Sequence, residues 1–205
     1  MIKTKYLDSI VSRETYNKLN KYSDFLIEYN KKINLISKSS EELIMSRHIE
    51  DSAQIMRFID KNDKKILDIG SGAGFPGIVM ELVKKDLGFE FKLELVEKSI
   101  RKCTYLQELC DYLKIDVVIH NHDVRKIKKK DFSTLVSRAF KPLDIFLEIL
   151  EEGGINFEKI LLLKGENHKK EMEQALKHWV INCDQHESIT KPGSKVFVIN
   201  SVQRI

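Results

Sequence analysis

The sequence has little of what marks a secreted, membrane-spanning or disordered chain. Its three cysteines, Cys103, Cys110 and Cys183, are an odd number without a CxxC spacing. That fits reduced core residues of a cytosolic protein rather than a disulfide framework, and Cys103 and Cys110, seven residues apart, share one helical face. Three prolines and nine glycines leave no segment of linker composition and no internal repeat. The opening MIKTKYLDSI holds no sustained apolar run, and no stretch approaches the roughly 18 apolar residues of a membrane span, so neither export nor a membrane is expected. An excess of one charge sign is also missing: 35 lysines and arginines stand against 31 acidic residues, and the net +4 is spread along the chain rather than gathered in a basic arm. Nucleic acid is permitted but not announced. What remains is an ordinary globular composition, 42% hydrophobic and 8% aromatic, in a 205-residue chain with one main domain.

Apolar periodicity divides that chain in two. Leu19, Tyr22, Leu26, Tyr29 and Ile33 recur at spacings of 3 and 4 and predict an amphipathic helix. After a polar break, Ser39-Ser40-Glu41-Glu42 offers a capping box to a second helical stretch, LIMSRHIEDSAQIMRFI, so residues 1–62 read as a helical extension. From residue 63 short β-branched runs alternate with helical spacing. KILDIG, FKLELVE, DVVIHN, TLVSRA, KILLLK and KVFVINSV are the predicted strands, with another near 180–183. GIVMELVKK, RKCTYLQELCDYLK, LDIFLEIL and HKKEMEQALKHW are the helices between them. This alternation predicts an α/β fold with a mostly parallel sheet over 63–205, much of it buried on both faces.

The most informative stretch is DIGSGAGFPG, residues 68–77, between the first strand and a helix opening at Pro76. Gly70, Gly72 and Gly74 let the backbone turn sharply and approach a ligand, and Gly72, Gly74 and Gly77 satisfy the dinucleotide pattern GxGxxG. Asp68 argues against a pyrophosphate there, because its charge repels one while it can orient an ammonium group directly or through water. Glu97, 20 residues past Gly77 at the end of the second strand, is placed to accept the hydroxyls of a ribose. This D-x-G-x-G-x-G arrangement resembles the class I methyltransferases that bind S-adenosylmethionine.

Several other chemistries lack their residues. No GK[ST] follows the glycines, which excludes a P-loop. No Pro-Cys pair supplies a nucleophile for a pyrimidine carbon, and no Asn-Pro-Pro or Asp-Pro-Pro aromatic motif grips an exocyclic amine. At the corresponding fourth strand end stands Ser137-Arg138-Ala139-Phe140, whose arginine offers a planar fork to a carboxylate, phosphate or base edge, or forms a surface ion pair.

YNKKINLIS (29–37), RHIEDS (47–52), DIGSGAGFPG, LVEKSIRKCTYL (95–106), LVSRAF (135–140) and LLLKG (161–165) together resemble the RsmG, or GidB, family of bacterial guanine-N7 methyltransferases for small-subunit (16S) ribosomal RNA. The resemblance implies a seven-stranded class I S-adenosylmethionine-dependent methyltransferase sheet behind a short helical N-terminal extension. It implies S-adenosylmethionine as cofactor and 16S ribosomal RNA, in a small ribosomal subunit or its precursor, as partner in the cytoplasm, with neither metal nor membrane. It implies a cofactor loop containing Asp68, Gly70, Ser71, Gly72, Gly74 and Phe75, with Glu97 on the ribose and Arg138 on cofactor or substrate. After the third strand the family pattern gives way to Asn121-His122-Asp123-Val124. Asp123 then stands for the family's acid at the adenine amine, the Val124 backbone serves the ring, and His122 takes the place of an arginine. Lys195 aligns with a second family arginine, keeping the charge without the fork. Asn34 and His48 are further substrate-site candidates, and no catalytic base or nucleophile is identified.

Two features and two competing readings stand beside that assignment. His120 and His122 share a strand face, but no further ligands accompany them and a non-metal role is expected. RKIKKKD, residues 125–131, reads as solvated loop charge that can also touch phosphates. A nicotinamide-dependent oxidoreductase, supported by Gly72, Gly74, Gly77 and Glu97, and a non-catalytic RNA-binding module are the competing readings.

Overall fold

The computed structural model describes residues 6–128 and 131–205. Lys129 and Lys130 of the basic run, and the first five residues of the chain, lie outside the described residues. The helical front comprises α1 (Leu7–Ile10), α2 (Arg13–Asn30), α3 (Lys38–Glu41), a π-helical turn over Ile44–Glu50, α4 (Asp51–Ala53) and a 3-10 turn over Gln54–Phe58. Ser12 caps α2 by accepting from the Thr15 N–H, and Leu19, Tyr22 and Leu26 are its buried stripe. The helix stops three residues short of Ile33. Asn30 is the cause: its Oδ1 accepts from the Leu35 and Ile36 N–H groups at 2.7 and 3.0 Å, and its Nδ2 donates to Ile36 O and Glu41. The expected capping box does not form. Ser39 lies inside α3, and Glu41 is occupied by Asn30. What reads as one helix over 43–59 is three short pieces of different pitch.

The body follows as β1 (Lys65–Ile69), α5 (Gly77–Val83), β2 (Lys92–Val96), α6 (Ile100–Leu113), β3 (Val118–His120), β4 (Asp131–Arg138), α7 (Leu143–Gly153), β5 (Asn156–Lys164), α8 (His168–Ala175), β6 (Trp179–Glu187) and β7 (Lys195–Arg204). The last predicted helix runs too far, since Trp179 already opens β6. The strands form one seven-stranded sheet in the order β3-β2-β1-β4-β5-β7-β6, parallel except for β7, which runs antiparallel to β5 and β6. Burial on both faces holds for β1 and most of β4, whereas the edge strands β3 and β6 are largely open to solvent. No helix among the described residues is long and apolar enough to cross a membrane.

The front does not have a core of its own. Leu19, Tyr22, Leu26, Ile44 and Ile49 share one apolar cluster with Ile78, Tyr105 and Leu106 on one face of the sheet, while α7 covers the other face. Cys103 and Cys110 are buried on α6 as expected, but Cys183 is only half-buried on the edge strand β6. Pairing of β1 between β2 and β4 aligns Asp68 with Leu95 and Val136, so the carboxyl ends of three strands open on one edge. There the connections diverge to opposite sides of β1, the place where doubly wound sheets bind ligands.

Candidate active site

The glycine loop leaves β1 with Gly70, Gly72 and Gly74 all at positive φ, +72°, +57° and +96°. Gly70 has a second constraint, because a Cβ there would overlap the Phe140 ring. Two buried tyrosines hold the loop from behind: Tyr22 of α2 and Tyr105 of α6 both donate to the Ala73 carbonyl, at 2.6 and 3.2 Å. Neither tyrosine stands out in the sequence, since each sits in an apolar helical stripe. Their polar tips are the available signal, because a buried phenol needs a partner.

Asp68 is fully buried. Its Oδ2 accepts from the Gly77 N–H at 3.0 Å, while Oδ1 has no partner among the described residues. Burial pushes its pKa up to about 7, opposed by the Gly77 N–H and reinforced by the charge of Glu97. An unpartnered buried carboxylate oxygen beside a glycine loop suits an ammonium group, or a water that relays to one. Glu97, 8% exposed, accepts from the Ser99 N–H through Oε1 (2.8 Å) and the Gly72 N–H through Oε2 (3.2 Å). Both bonds fix it at the wall of a cleft of about 500 Å³.

Gly70, Glu97, Asp123, Val124 and Phe140 all line that cleft. Asp123 carries a complication. Arg125 donates to its Oδ1 through Nε at 2.9 Å and to its Oδ2 through Nη2 at 2.8 Å, which drives its pKa down to about 2. The Arg125 fork also reaches Glu152. Asp123 thus faces the cleft already in an ion pair and must share its lone pairs with any amine. His120 donates to Glu94 at 2.7 Å and His122 to the Asp123 carbonyl, so each ring has an ordinary hydrogen-bond partner.

Arg138 is tied to the helical front. Its side chain is 17% exposed, and the guanidinium donates to His48 Nδ1 and His48 O, with Asp51 3.6 Å from Nε. SRAF and RHIEDS, separate motifs in the sequence, are therefore two halves of one contact between front and sheet. His48 stacks on Phe75 with ring centroids 5.2 Å apart, and the Arg138 guanidinium lies over the same ring. Burial and the neighbouring Arg138 and Arg47 lower the His48 pKa to about 3, so the ring is neutral. Asp51 extends the contact by accepting from Gln54 at 2.7 Å and from Thr190 of the β6–β7 loop at 2.6 Å.

His48, Asp51, Arg138 and Lys195 line a second, larger cleft of about 840 Å³, and Ala139, Phe140 and Lys141 line both clefts. Lys195 is ion-paired with Glu187 rather than free. Asn34 is exposed and lines neither cleft; in its motif the buried residue is Asn30.

A family model described as rRNA small subunit methyltransferase G matches residues 15–198. The chain belongs to this family. Curated members named ribosomal RNA small subunit methyltransferase G include those of Pelagibacter ubique, 35% identical over 95% of this chain and 92% of that protein, and Rickettsia prowazekii, 34% identical over 95% and 98%. The class I methyltransferase fold is shared with solved structures of low identity. Magnesium protoporphyrin IX methyltransferase from Synechocystis, solved with bound S-adenosylmethionine, covers 93% of this chain and 99% of its own with a TM-score of 0.60 at 9% identity. A ribosomal protein L11 methylase from Lactobacillus delbrueckii covers 77% and 78% with a TM-score of 0.54 at 14% identity.

Gly70→Ala tests the loop. A side chain at φ +72° costs roughly 1–2 kcal/mol, and the Phe140 ring must move into the cleft that it lines. The expected outcome is a lower melting temperature and at least tenfold weaker S-adenosylhomocysteine binding by calorimetry. Unchanged values of both would show that the loop tolerates a Cβ.

Proposed function

We infer that the protein transfers the methyl group of S-adenosylmethionine to N7 of a guanine in small-subunit ribosomal RNA. The observation that carries this reading is the pair of clefts meeting at Ala139–Lys141, one lined by Gly70 and Glu97, the other open between front, β4 end and β6–β7 loop. A donor and an acceptor held in two such clefts meet at their common wall. Family membership supports ribosomal RNA as the acceptor, because the curated relatives carry that name.

When bound, the sulfonium of S-adenosylmethionine supplies an electrophilic methyl group. Asp68 is the residue for its amino acid end and Glu97 for its ribose, while Phe140 and the glycine loop shape the wall between. Guanine N7 presents an in-plane lone pair and carries no proton, so no residue has to act as a base. His48 agrees with this. Its Nδ1 accepts from Arg138, which leaves the proton on Nε2 and no lone pair for proton abstraction. The protein's part is alignment and exclusion of water.

A net charge of +4 without a basic arm suits a folded guanine presented by shape, in an assembled small subunit or its precursor, more than extended RNA held by charge. That substrate places the protein in the cytoplasm. Small-subunit RNA from cells lacking the gene should lack one N7-methylguanosine, restored by purified protein and S-adenosylmethionine. Reduction and aniline cleavage at the methylated base read the site as one strand break. An identical cleavage pattern in deletion and parent strains would end this assignment, and stabilisation by NAD rather than S-adenosylhomocysteine would favour the oxidoreductase.

A further inference from the structure

The larger cleft has a charge distribution that its sequence does not reveal. Six basic side chains line it: Arg47, Arg138, Lys141, Lys164, Lys191 and Lys195. Four already have a carboxylate. Arg138 faces Asp51 at 3.6 Å, Lys164 holds Glu171 at 2.7 Å, Lys191 holds Glu166 at 2.9 Å, and Lys195 is paired with Glu187. Arg47 and Lys141 are exposed and have no carboxylate within 4.0 Å among the described residues. They stand on different elements: Arg47 in the π-helical turn of the front, Lys141 in the loop between β4 and α7, where both clefts meet.

We propose that Arg47 and Lys141 are a two-point phosphate clamp, gripping the RNA backbone on the two sides of the base that enters the cleft. The proposal rests on the reading of RNA as the acceptor and assigns which residues hold it. A lysine already paired has its charge offset by the carboxylate beside it, so it adds less net positive charge to the cleft than an unpaired one. A free cation releases counterions from the RNA instead, so the unpaired residues carry the affinity. Their anchoring supports this. The Lys141 carbonyl accepts from Lys164 Nζ at 3.2 Å, and the Arg47 backbone N–H donates to Leu43 O at 2.7 Å, so both clamp residues project from tethered backbone. Arg47 lines the same cleft as His48 and Arg138, which places it against the cleft wall. Backbone contacts of this kind position without reading sequence, leaving selection of the base to the shape of the cleft. Arg138, expected on cofactor or substrate, and the paired Lys195 become parts of the wall.

The test measures binding of small-subunit RNA and of assembled small subunits at several salt concentrations for the native protein and the variants Arg47→Gln, Lys141→Gln, the double variant, Arg47→Lys and Lys191→Gln. S-adenosylhomocysteine affinity and melting temperature are followed in parallel. Each clamp variant should bind RNA about tenfold more weakly, and the slope of log K against log salt should shrink by roughly 0.7–0.9 per clamp residue and double that in the double variant. Arg47→Lys should keep the slope. Lys191→Gln removes the same charge from the same cleft, and should stay within about twofold with the slope unchanged. Equal losses in Lys191→Gln and Arg47→Gln would overturn the clamp in favour of a diffuse field, as would unchanged slopes in the clamp variants. A loss confined to S-adenosylhomocysteine binding in Lys141→Gln would reassign that residue to the cofactor. Native protein that binds RNA through these residues yet leaves no methyl group on it would uphold the clamp while ending the methyltransferase reading, whereas failure to bind either form of RNA would end both.

Discussion

Asp68→Asn should bind S-adenosylhomocysteine roughly 10- to 100-fold more weakly than the native protein at pH 8, and yet melt at a higher temperature when ligand-free. Both effects come from one buried oxygen. The amide oxygen introduced by the substitution can still accept from the Gly77 N–H, so the loop keeps its bond, but the charge that would meet an ammonium group is gone. A hydrogen bond to a charged group contributes roughly 1.5–3 kcal/mol, which sets the size of the loss. The gain in stability has the opposite origin. Because the folded-state pKa is raised from 3.8 to about 7, the native state holds a proton that the unfolded chain has released, and stability from this group is lost as pH rises from about 4 through 7. Above pH 7 the buried charge opposes folding in full, and the amide removes it. Ligand binding restores a use for that charge. Native affinity should therefore fall as pH drops below 7, with proton release into buffer on binding detectable by calorimetry in buffers of different ionisation heat, and Asp68→Asn should show no such dependence. A variant that binds normally, or a native affinity flat from pH 8 to pH 6, would remove Asp68 from the ligand site.

Arg138→Ala should lose turnover and on the order of 3–5 kcal/mol of stability, as expected when one partner of a largely buried charged cluster is deleted and the rest left unpaired. The guanidinium ties His48 and Asp51 of the front to the end of β4 and covers Phe75 of the cofactor loop. Arg138→Lys should recover little, since an ammonium group cannot span His48 and Asp51 together. A role through the front has a signature that a direct substrate contact lacks. His48, held near pKa 3 by burial and then by Arg138 and Arg47, should titrate at higher pH in Arg138→Ala, visible in the ring proton shifts by NMR. If the variant melted like the native protein and His48 did not move, the fork would have to act on substrate or cofactor instead.

Glycines 70, 72 and 74 identify themselves in the sequence because a turn through left-handed backbone after a strand leaves few other residues possible. Asp68 and Glu97 are legible for the same local reason: the end of a parallel strand is where this fold keeps its ligand groups, and strand ends can be counted from periodicity. The partners of those residues are not countable. Asn30 ends α2 through bonds to residues five and six positions on, and the three-piece helix over 44–58 follows packing rather than spacing. Which arginine is committed, and which lysine is free, depends on carboxylates carried by other elements of the fold.

The sequence by itself determined the alternating α/β architecture, the glycine loop and its two flanking carboxylates, and the family, because each rests on local pattern. The tertiary structure alone decided that β7 runs antiparallel, that Tyr22 and Tyr105 hold the loop, that Arg138 faces the front and Lys195 faces Glu187, and that Arg47 and Lys141 have no carboxylate partner among the described residues. Charge pairing and burial are properties of neighbours in space. A side chain's chemistry is written in the sequence, but whether that chemistry is spent on the protein or left for a ligand is settled only when distant segments meet.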